Sequence, residues 1–360
     1  MEEYQVNVLV TGAFGNVGRS TVNELLRQGH RVRCFDVRTK ANERIARQYG
    51  KRIEVVWGDL RRPAHIAGAL EGQEVVIHLA FIIPKLSVTG IEAEKQPGLA
   101  REVNVEGTRN LVEAMRAMSR PARLIFSSSL HVFGRTQHLS PYRTPADPVE
   151  ATDHYSAHKI ECEEIIRTSG LQWAILRFGA VFPLSIKLDP GMFDIPLTNR
   201  MEFVHTYDVG LALANAVSSD AIWGKTLLIG GGPRCQYYYR EMVERILNGM
   251  GVGMLPAEAF SLNPFCTDWL DTSESQALLH YQQRDLDDYV RDMQRVVGMR
   301  RHLIRLFRPI VRLHLLRQSP YYRLDQRMRQ VFLAHKAAFR QLLALLMGRP
   351  GIRDNGHLGG

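Results

Sequence analysis

The sequence predicts an α/β fold built on a doubly wound parallel sheet, with a small discontinuous second part and a basic helical C-terminal extension. Short apolar runs alternate with helical patterns along most of the 360 residues, which is typical of successive βαβ units. A glycine-rich turn stands between the first apolar run and the first helical pattern. Positive charge is concentrated near the end of the chain, so we expect that segment to be a separate structural part.

Seven apolar runs of strand length predict the sheet. They are VNVLV (6–10), RVRCFDV (31–37), IEVVWGDL (53–60), EVVIHLA (74–80), ARLIFSSS (122–129), WAILRFGAVF (173–182) and KTLLIG (225–230). Helical periodicity separates or follows these runs. The predicted helices are Thr21–Gln28, Val103–Met118, Tyr155–Thr168, Asp208–Val217, Tyr237–Met250 and Leu286–Gln294.

The net charge of +9 arises from the C-terminal extension. Residues 295–349 contain 13 Lys and Arg and one acid, whereas residues 1–294 sum to −3. The body therefore offers no excess of basic residues for a polyanion, and no nucleic-acid partner is predicted.

The extension has a basic amphipathic pattern from residue 299 onward. Its arginines and apolar residues fall largely on different helical faces. The arginines are Arg301, Arg305, Arg308 and Arg312, and the apolar residues are Leu303, Leu306, Phe307, Ile310 and Leu313. Pro309 is expected to kink the helix. Two alternatives fit this pattern: a helical hairpin packed on the body or on a second subunit, and a helix in an anionic membrane interface through residues 299–347.

Cysteine usage and targeting signals predict the compartment. The four cysteines are scattered without a C-x-x-C spacing, so neither a disulfide framework nor a metal site is predicted. The N-terminus lacks a basic segment and a cleavage site, and no apolar run reaches the roughly 18 residues of a spanning helix. We expect a cytoplasmic protein, with contact at the inner face of a membrane as an additional hypothesis.

The glycine-rich turn predicts a phosphate-binding loop. Gly12, Gly15 and Gly18 follow a strand, and Asn16 and Val17 begin the helical pattern. Glycine permits the tight turn and the close approach of a pyrophosphate, and the start of the helix supplies free N–H groups. In this context the motif indicates a Rossmann fold that binds a dinucleotide.

The second strand ends in a carboxylate that favours NAD over NADP. Asp36 lies 18 residues beyond Gly18, close to the ~20 expected for the acid that binds the adenosine ribose. A carboxylate accepts from both ribose hydroxyls and repels a 2′-phosphate. Arg19 and Arg38 leave NADP open as the second choice.

These motifs and those that follow resemble the extended short-chain dehydrogenase/reductases, specifically the NAD-dependent epimerase/dehydratase family. By this resemblance, Asp59 in G-D-L contacts the adenine, and Leu60 follows it. Leu79 and Ala80 in H-L-A pass under the cofactor, and Asn104 begins the N-V-x-G-T segment.

The resemblance also implies the catalytic residues. Ser129 in FSSSLHVFG matches the family's Ser or Thr, and Tyr155 and Lys159 match its Y-x-x-x-K. Lys159 is expected to lower the pKa of Tyr155, which exchanges a proton with the substrate oxygen while Ser129 donates to it. Phe178 belongs to LRFGAVFP, which resembles the family's segment at the nicotinamide end.

The predicted organisation is a Rossmann domain over residues 1–180, with 200–232 returning to the sheet. Residues 181–199 and 233–298 form the substrate-binding part, and 299–360 form the extension.

The insert between Pro183 and Phe203 is shorter than in nucleotide-sugar enzymes of the family, and Leu130 and His131 replace the acid used by its dehydratases.

The motifs and the family resemblance support three alternative functions. The first is an NAD-dependent epimerase or oxidoreductase that acts on a sugar-like or secondary-alcohol substrate. The second is a dehydrogenase/reductase for a hydrophobic alcohol or ketone at a membrane surface, and the third is a non-catalytic NAD-binding regulator. The resemblance also implies a homodimer through the helices Val103–Met118 and Tyr155–Thr168.

Overall fold

The seven predicted strands form one parallel sheet in a computed structural model that describes residues 5–84, 92–186 and 188–323. The strands of this sheet are β1 (Asn7–Thr11), β2 (Arg31–Asp36), β3 (Glu54–Trp57), β4 (Val75–His78), β5 (Arg123–Ser129), β6 (Trp173–Phe178) and β8 (Thr226–Ile229). Their order is β3-β2-β1-β4-β5-β6-β8. Two short strands, β7 (Arg200–Glu202) and β9 (Gln236–Tyr238), form a second sheet. The predicted doubly wound α/β fold is therefore confirmed.

The strand order reverses between β1 and β4. Ligands of doubly wound sheets bind at such a switch point, in the crevice beyond the carboxyl ends of the strands. The glycine loop follows β1, and the H-L-A segment extends beyond β4, so both lie at this crevice.

Helices cover both faces of the sheet. They are α1 (Asn16–Arg27), α2 (Lys40–Tyr49), α3 (Pro63–Leu70), α4 (Pro97–Arg101), α5 (Gly107–Arg116), α6 (His154–Arg167), α7 (Thr206–Val217), α8 (Tyr239–Gly249), α9 (Ser273–Leu279), α10 (Leu286–Val297), α11 (Arg300–Leu306) and α12 (Arg308–Leu316). A π-helical segment, Glu102–Glu106, joins α4 to α5.

The core lies in two apolar layers, one on each face of the sheet. Along β1, Val8 and Val10 belong to one layer and Leu9 to the other, because successive side chains of a strand point to opposite faces. Burial on both faces explains why the central strands β1 and β4 are continuous apolar runs rather than alternating ones.

The chain divides into two compact units. The first comprises residues 1–183, 199–237 and 264–286, and the second comprises 184–198, 238–263 and 287–360. Both sheets belong to the first unit except for the last residue of β9. Residues 264–286, which we predicted in the substrate-binding part, group with the sheet in this division; the functional boundaries themselves stay a prediction.

The described start of the extension belongs to the second unit. Helix α11 ends at Leu306 and α12 begins at Arg308, so the break coincides with the kink expected at Pro309. Proline occupies the first turn of α12, where its missing N–H has no helical partner to lose. The second basic segment, from residue 324, lies outside the described residues. Among the helices that are described, none combines the length and the apolar character needed to cross a membrane.

Candidate active site

The glycine loop packs against the segment that follows β4. Gly12 has a φ of +68°, and a Cβ there would lie 2.8 Å from the backbone of Ala80. A Cβ at Gly18 would lie 2.3 Å from the carbonyl oxygen of Gly12, so α1 begins directly over the turn. Only glycine fits these two positions, so the loop can turn tightly and pack directly against the H-L-A segment and the start of α1.

No side chain caps the N–H groups in the first turn of α1 or neutralises the positive end of its dipole. Gly15 is the N-cap and provides no side-chain hydrogen bond, and the first turn, which contains Asn16 and Val17, has no acidic residue. The N–H groups and the positive end of the helix dipole therefore stay available for an anion such as a pyrophosphate.

Asp36 is held at the end of β2 by three donors. Its carboxylate accepts from Phe14 N at 3.0 Å, Val37 N at 2.8 Å and Asn42 Nδ2 at 3.2 Å. Burial raises its pKa, and the two backbone hydrogen bonds act in the opposite direction. The carboxylate is thus fixed beside the glycine loop. Arg38, one of the two cations considered for a 2′-phosphate, bonds instead to Glu43 at 2.7 Å.

Asp59 and Leu60 follow β3, next to the end of β2. The N–H of Gly58 donates to Asp36 O at 3.0 Å, which joins the two strand ends. Both carboxylate oxygens of Asp59 are bonded to Arg61, and this hydrogen bond holds the pKa of Asp59 below its usual range. Leu60 is buried, and its carbonyl accepts from Asn110 Nδ2 at 2.9 Å.

Leu79 and Ala80 are fixed by one threonine at the end of β1. Their N–H groups both donate to Thr11 Oγ1 at 3.2 Å. Further along, the buried Asn104 side chain bonds both backbone groups of Ile82, at 2.7 Å and 2.9 Å. Asn104 lies in the π-helical segment and therefore fixes the chain beyond β4 from the neighbouring helix.

His78, to which we assigned no chemistry, is a buried residue between two threonines. Its ring contacts Thr11 Oγ1 at 2.7 Å and Thr108 Oγ1 at 3.0 Å. Burial and the charge of Lys159 lower its pKa to about 3, so it is neutral at physiological pH.

The three predicted catalytic residues lie close together at the end of β5. Ser129 is the last residue of β5 and stands opposite Phe178 of β6 in the strand register. Asp153 caps α6 through a capping box with Ser156, which places Tyr155 in the first turn of that helix. The Ser129 side chain stands close enough to the Tyr155 hydroxyl to act on its pKa.

Lys159 follows one helical turn after Tyr155 and is buried. Its Nζ donates to Ser127 O at 2.5 Å and lies 3.5 Å from the ring centroid of Phe81. The centroid of the Tyr155 ring is 5.9 Å away. The ammonium is therefore stabilised by a carbonyl and by aromatic faces rather than by a carboxylate.

Burial controls the protonation of this pair. It raises the pKa of Tyr155 to about 12, although the Ser129 side chain acts in the opposite direction. Burial also lowers the pKa of Lys159 to about 7. The direction for Tyr155 is opposite to our expectation, because burial, which disfavours the charged phenolate, has the largest effect on its pKa. At neutral pH this tyrosine keeps its proton and can donate it to a carbonyl oxygen.

Two aromatic neighbours of Tyr155, and a third ring that packs against one of them, were not assigned a role in the site from the sequence. Phe81 and His131 pack edge-on against the Tyr155 ring, at centroid distances of 5.8 Å and 5.7 Å, and Phe265 packs edge-on against His131. His131 Nδ1 lies 4.0 Å from Asp153 Oδ2, and burial lowers the His131 pKa. Phe81 and His131 had local signals, since Phe81 directly follows the H-L-A segment and His131 lies two residues after Ser129, whereas Phe265 had none.

A buried ion pair fixes the helix that carries Tyr155 and Lys159. Glu163 of α6 accepts from Arg177 of β6 at 3.0 Å and 2.8 Å and from Ser128 Oγ of β5 at 2.5 Å. Because the carboxylate joins one helix to two strands, it sets the position of α6 over the end of the sheet.

Comparison with known proteins agrees with this geometry. The sequence profile of the NAD dependent epimerase/dehydratase family matches residues 8–184. A UDP-glucose 4-epimerase from Klebsiella pneumoniae is 37% identical over 135 residues, which cover 36% of this chain and 93% of that protein. A 3-beta-hydroxysteroid dehydrogenase from Mycolicibacterium neoaurum is 30% identical over 162 residues, or 44% of this chain and 42% of that protein. With two further curated relatives the match spans about half of their length, 50% and 48%.

Solved structures show the same fold. The UDP-glucose-4-epimerase of Stenotrophomonas maltophila, crystallised with NAD and formylated UDP-arabinopyranose, superposes with a TM-score of 0.67 at 23% identity. The superposition covers 81% of this chain and 98% of that one. Together with the family profile and the 37% identity to the Klebsiella protein, the glycine loop and the Ser129, Tyr155 and Lys159 arrangement lead to one conclusion. The chain belongs to the NAD dependent epimerase/dehydratase family of enzymes.

Proposed function

We propose that the protein is an NAD-dependent oxidoreductase or epimerase that interconverts a secondary alcohol and its ketone. The observation that carries this proposal is the placement of Ser129 at the end of β5 beside Tyr155 and the buried Lys159 of α6, at the edge of the sheet that also bears the glycine loop. A regulator that only binds a nucleotide has no need for this arrangement.

The residues at the crevice fit a dinucleotide. Gly12, Gly15 and Gly18 form the tight turn that leads into α1, and the start of α1 would supply N–H groups to a pyrophosphate. Asp36 would hold the adenosine ribose, which favours NAD, and NADP remains the second choice. We assign the adenine end to Asp59 and Leu60, and the central and nicotinamide regions to Leu79, Ala80, Asn104 and Phe178.

The proposed chemistry assigns proton transfer to Tyr155. Its hydroxyl exchanges a proton with the substrate oxygen, and Ser129 donates a hydrogen bond to the same oxygen as charge develops. Lys159 supplies positive charge beside the phenol and holds the nicotinamide ribose. NAD, when bound, accepts the hydride from the substrate carbon and can return it.

Two substrate classes fit. Similarity to a UDP-glucose 4-epimerase favours a sugar-like substrate. Similarity to a 3-beta-hydroxysteroid dehydrogenase and the aromatic surroundings of Tyr155 favour a hydrophobic alcohol. The short insert between Pro183 and Phe203 also favours the second class, because it offers little chain with which to hold a nucleotide diphosphate.

The test compares the wild-type protein with Tyr155→Phe on a 3β-hydroxysteroid and on UDP-glucose. Removal of the hydroxyl should reduce turnover by ~10²–10⁴-fold while NAD binding is retained, since only proton transfer is lost. Tyr142→Phe is the matched control, because Tyr142 is 50% exposed and lies outside the site. NAD binding without turnover on a wide panel of alcohols and ketones would instead favour the regulator.

The cofactor content of the freshly purified protein separates the two enzymatic alternatives. An epimerase returns the hydride within one catalytic cycle, so NAD, partly reduced, should survive extensive dialysis. A dehydrogenase should be purified empty and bind added NAD reversibly. Acid release followed by absorbance of the reduced nicotinamide distinguishes them.

The remaining aspects of the proposal concern location and assembly. We propose a cytoplasmic enzyme, which is supported by four cysteines that are all buried free thiols. The homodimer implied by the family resemblance would use α5 and α6, and sedimentation velocity would test it. Peripheral membrane contact through residues 299–347 is also proposed, and its described part is α11 and α12.

A further inference from the structure

Helix α11 presents a row of exposed apolar side chains. Met299, which caps the helix, and Leu303 and Leu306 are separated by four and three residues, so they lie on one helical face. They are 86%, 37% and 72% exposed. Ile304, which points to another side of α11, is buried. The part of the chain that the structure describes therefore leaves this apolar row open.

Ile304 shows how the helix is anchored. A Cβ on Gly251 would lie 3.6 Å from Ile304 Cγ2, and Arg308 Nε donates to Val252 O at 2.8 Å. Ser319 Oγ donates to Ala259 O at 2.6 Å beyond the end of α12. These contacts hold α11 and α12 on the 251–259 segment of the same unit, so the apolar row is presented on an anchored helix rather than on a loose end.

Arginines flank the apolar row on both sides. At about 100° per residue, Arg300 and Arg305 lie on opposite sides of the Met299, Leu303 and Leu306 face. Both arginines are exposed. Within the described residues, neither these two nor Arg301 forms an ion pair, and the sequence has no Asp or Glu from residue 293 to 324. A helical face that is only exposed to solvent ordinarily carries both positively and negatively charged residues.

We propose that α11 is a lipid-binding surface that docks on an anionic phospholipid bilayer. The apolar row would enter the boundary between headgroups and acyl chains, while the arginines would contact the lipid phosphates. This inference deepens the membrane contact proposed above, on which it rests, by naming the helix face and the lipid class; it does not depend on the proposed catalytic chemistry.

The charge distribution favours a membrane over other occupants. A second copy of the chain, packed face to face, would bring the same arginines together without acids to neutralise them. A nucleic acid would use the arginines but leave the apolar row in water. An anionic bilayer satisfies both features at once.

The experiment mixes the full chain with sedimentable vesicles. One set contains phosphatidylcholine alone, and the other contains about 30% phosphatidylglycerol, at salt concentrations of about 0.1 M and about 0.5 M. At the lower salt the protein should sediment at least ~10-fold more with the anionic vesicles, and high salt should release most of it. Equal recovery in the supernatant with both vesicle types would overturn the proposal.

Variants assign the binding to α11. The double variant Leu303→Asn/Leu306→Asn should lose about 10-fold in vesicle binding because the apolar contribution is removed. Leu139→Asn is the matched control, since Leu139 is 42% exposed and lies in the first unit. Arg300→Glu/Arg305→Glu should abolish binding, whereas the corresponding lysine variants should retain most of it.

Two results would contradict the assignment. Wild-type binding by the Leu303→Asn/Leu306→Asn protein would mean that residues outside α11 hold the membrane. A dimer that dissociates in this variant, with no vesicle binding by the wild type, would mean that a second copy covers the apolar row. Equal thermal unfolding midpoints for all variants, expected for exposed positions, exclude misfolding as the cause.

Discussion

Two arginines of the sheet unit, Arg177 and Arg284, are paired with buried carboxylates, whereas the arginines of α11 have no carboxylate partner among the described residues. Arg177 and Glu163 are 3% and 1% exposed, and their closest atoms are 2.8 Å apart. Arg284 pairs in the same way with Asp208 at 2.6 Å. In α11, by contrast, Arg300 and Arg305 point to solvent without a carboxylate partner in the described residues. In the first unit the charges hold elements together, and in α11 they are available to something outside the chain.

Lys159 is the exception inside the sheet unit. It is as buried as Arg177, yet its Nζ is bonded to a backbone carbonyl and not to an acid. A buried cation without a carboxylate is unfavourable for folding, and such groups occur where chemistry requires them. The comparison thus separates three uses of positive charge: structural at Arg177, catalytic by our proposal at Lys159, and outward-facing in α11.

The largest effect on stability is expected from Glu163→Gln. The substitution removes the counter-charge of the buried Arg177 and should lower the free energy of unfolding by about 3–5 kcal/mol. The matched control is Glu274→Gln, because Glu274 and Lys225 are 53% and 44% exposed. That surface pair should contribute less than ~1 kcal/mol. Urea denaturation measures both, and similar losses for the two variants would contradict the distinction between buried and surface pairs.

The pH dependence of the stability difference between the wild type and Glu163→Gln is a further check. Burial raises the Glu163 pKa, but hydrogen bonds and charge from Arg177, with smaller effects of Ser128 and Arg167, bring it below the ordinary value of 4.5. Its contribution is therefore complete above pH 4.5 and is lost as the pH falls through the lower folded value. The wild type and Glu163→Gln should differ by a constant amount near neutrality and converge in acid.

Lys159→Met is expected to stabilise the protein, whereas Glu163→Gln is expected to destabilise it. Burial lowers the Lys159 pKa from 10.5 to about 7, so between these values the unfolded chain binds a proton that the folded chain does not. Wild-type stability should rise with pH in that window. Lys159→Met removes the buried charge and should stabilise the protein by ~2–4 kcal/mol at pH 7 and below, while turnover is lost.

The gain should shrink as the pH approaches 10.5 and disappear above it, where the lysine is neutral in both states. Lys225→Met, at a position that is 44% exposed, should leave stability nearly unchanged at every pH. The urea midpoints of the wild type, Lys159→Met and Lys225→Met, measured across this pH range, test the prediction. A Lys159→Met protein that is destabilised at neutral pH would show that the contacts with Ser127 and Phe81 outweigh the cost of burial.

The strands and the glycine loop could be predicted because their signals are local. Strands buried on both faces are continuous apolar runs, and all seven were identified. The positions of Gly12 and Gly18 admit no Cβ, so the sequence must carry glycine there. Helix α2 was missed because most of its residues are polar and it buries only Asn42 and Tyr49, so few apolar residues mark its inner face.

The surroundings of Tyr155 could not be predicted because they depend on long-range packing. Phe81, His131 and Phe265 come from distant parts of the chain and meet only when the strands have paired in register. The raised Tyr155 pKa has the same origin, since burial is a property of the folded chain and not of the Y-x-x-x-K spacing. A sequence motif can thus identify the reacting groups without giving their protonation.

The smallest effect on stability is expected from substitution of Arg300 and Arg305, the arginines of α11 without a carboxylate partner in the described residues. Arg300→Gln/Arg305→Gln should change the free energy of unfolding by less than ~0.5 kcal/mol, because these side chains have no buried partner to lose. Turnover of the isolated protein should be unchanged as well, since neither residue belongs to the proposed catalytic site. Urea denaturation of the double variant beside Arg177→Gln, which should lose several kcal/mol, gives the sharpest contrast. A large destabilisation by the α11 variant would mean that its arginines hold the fold, and that their charge is not kept for an external anion.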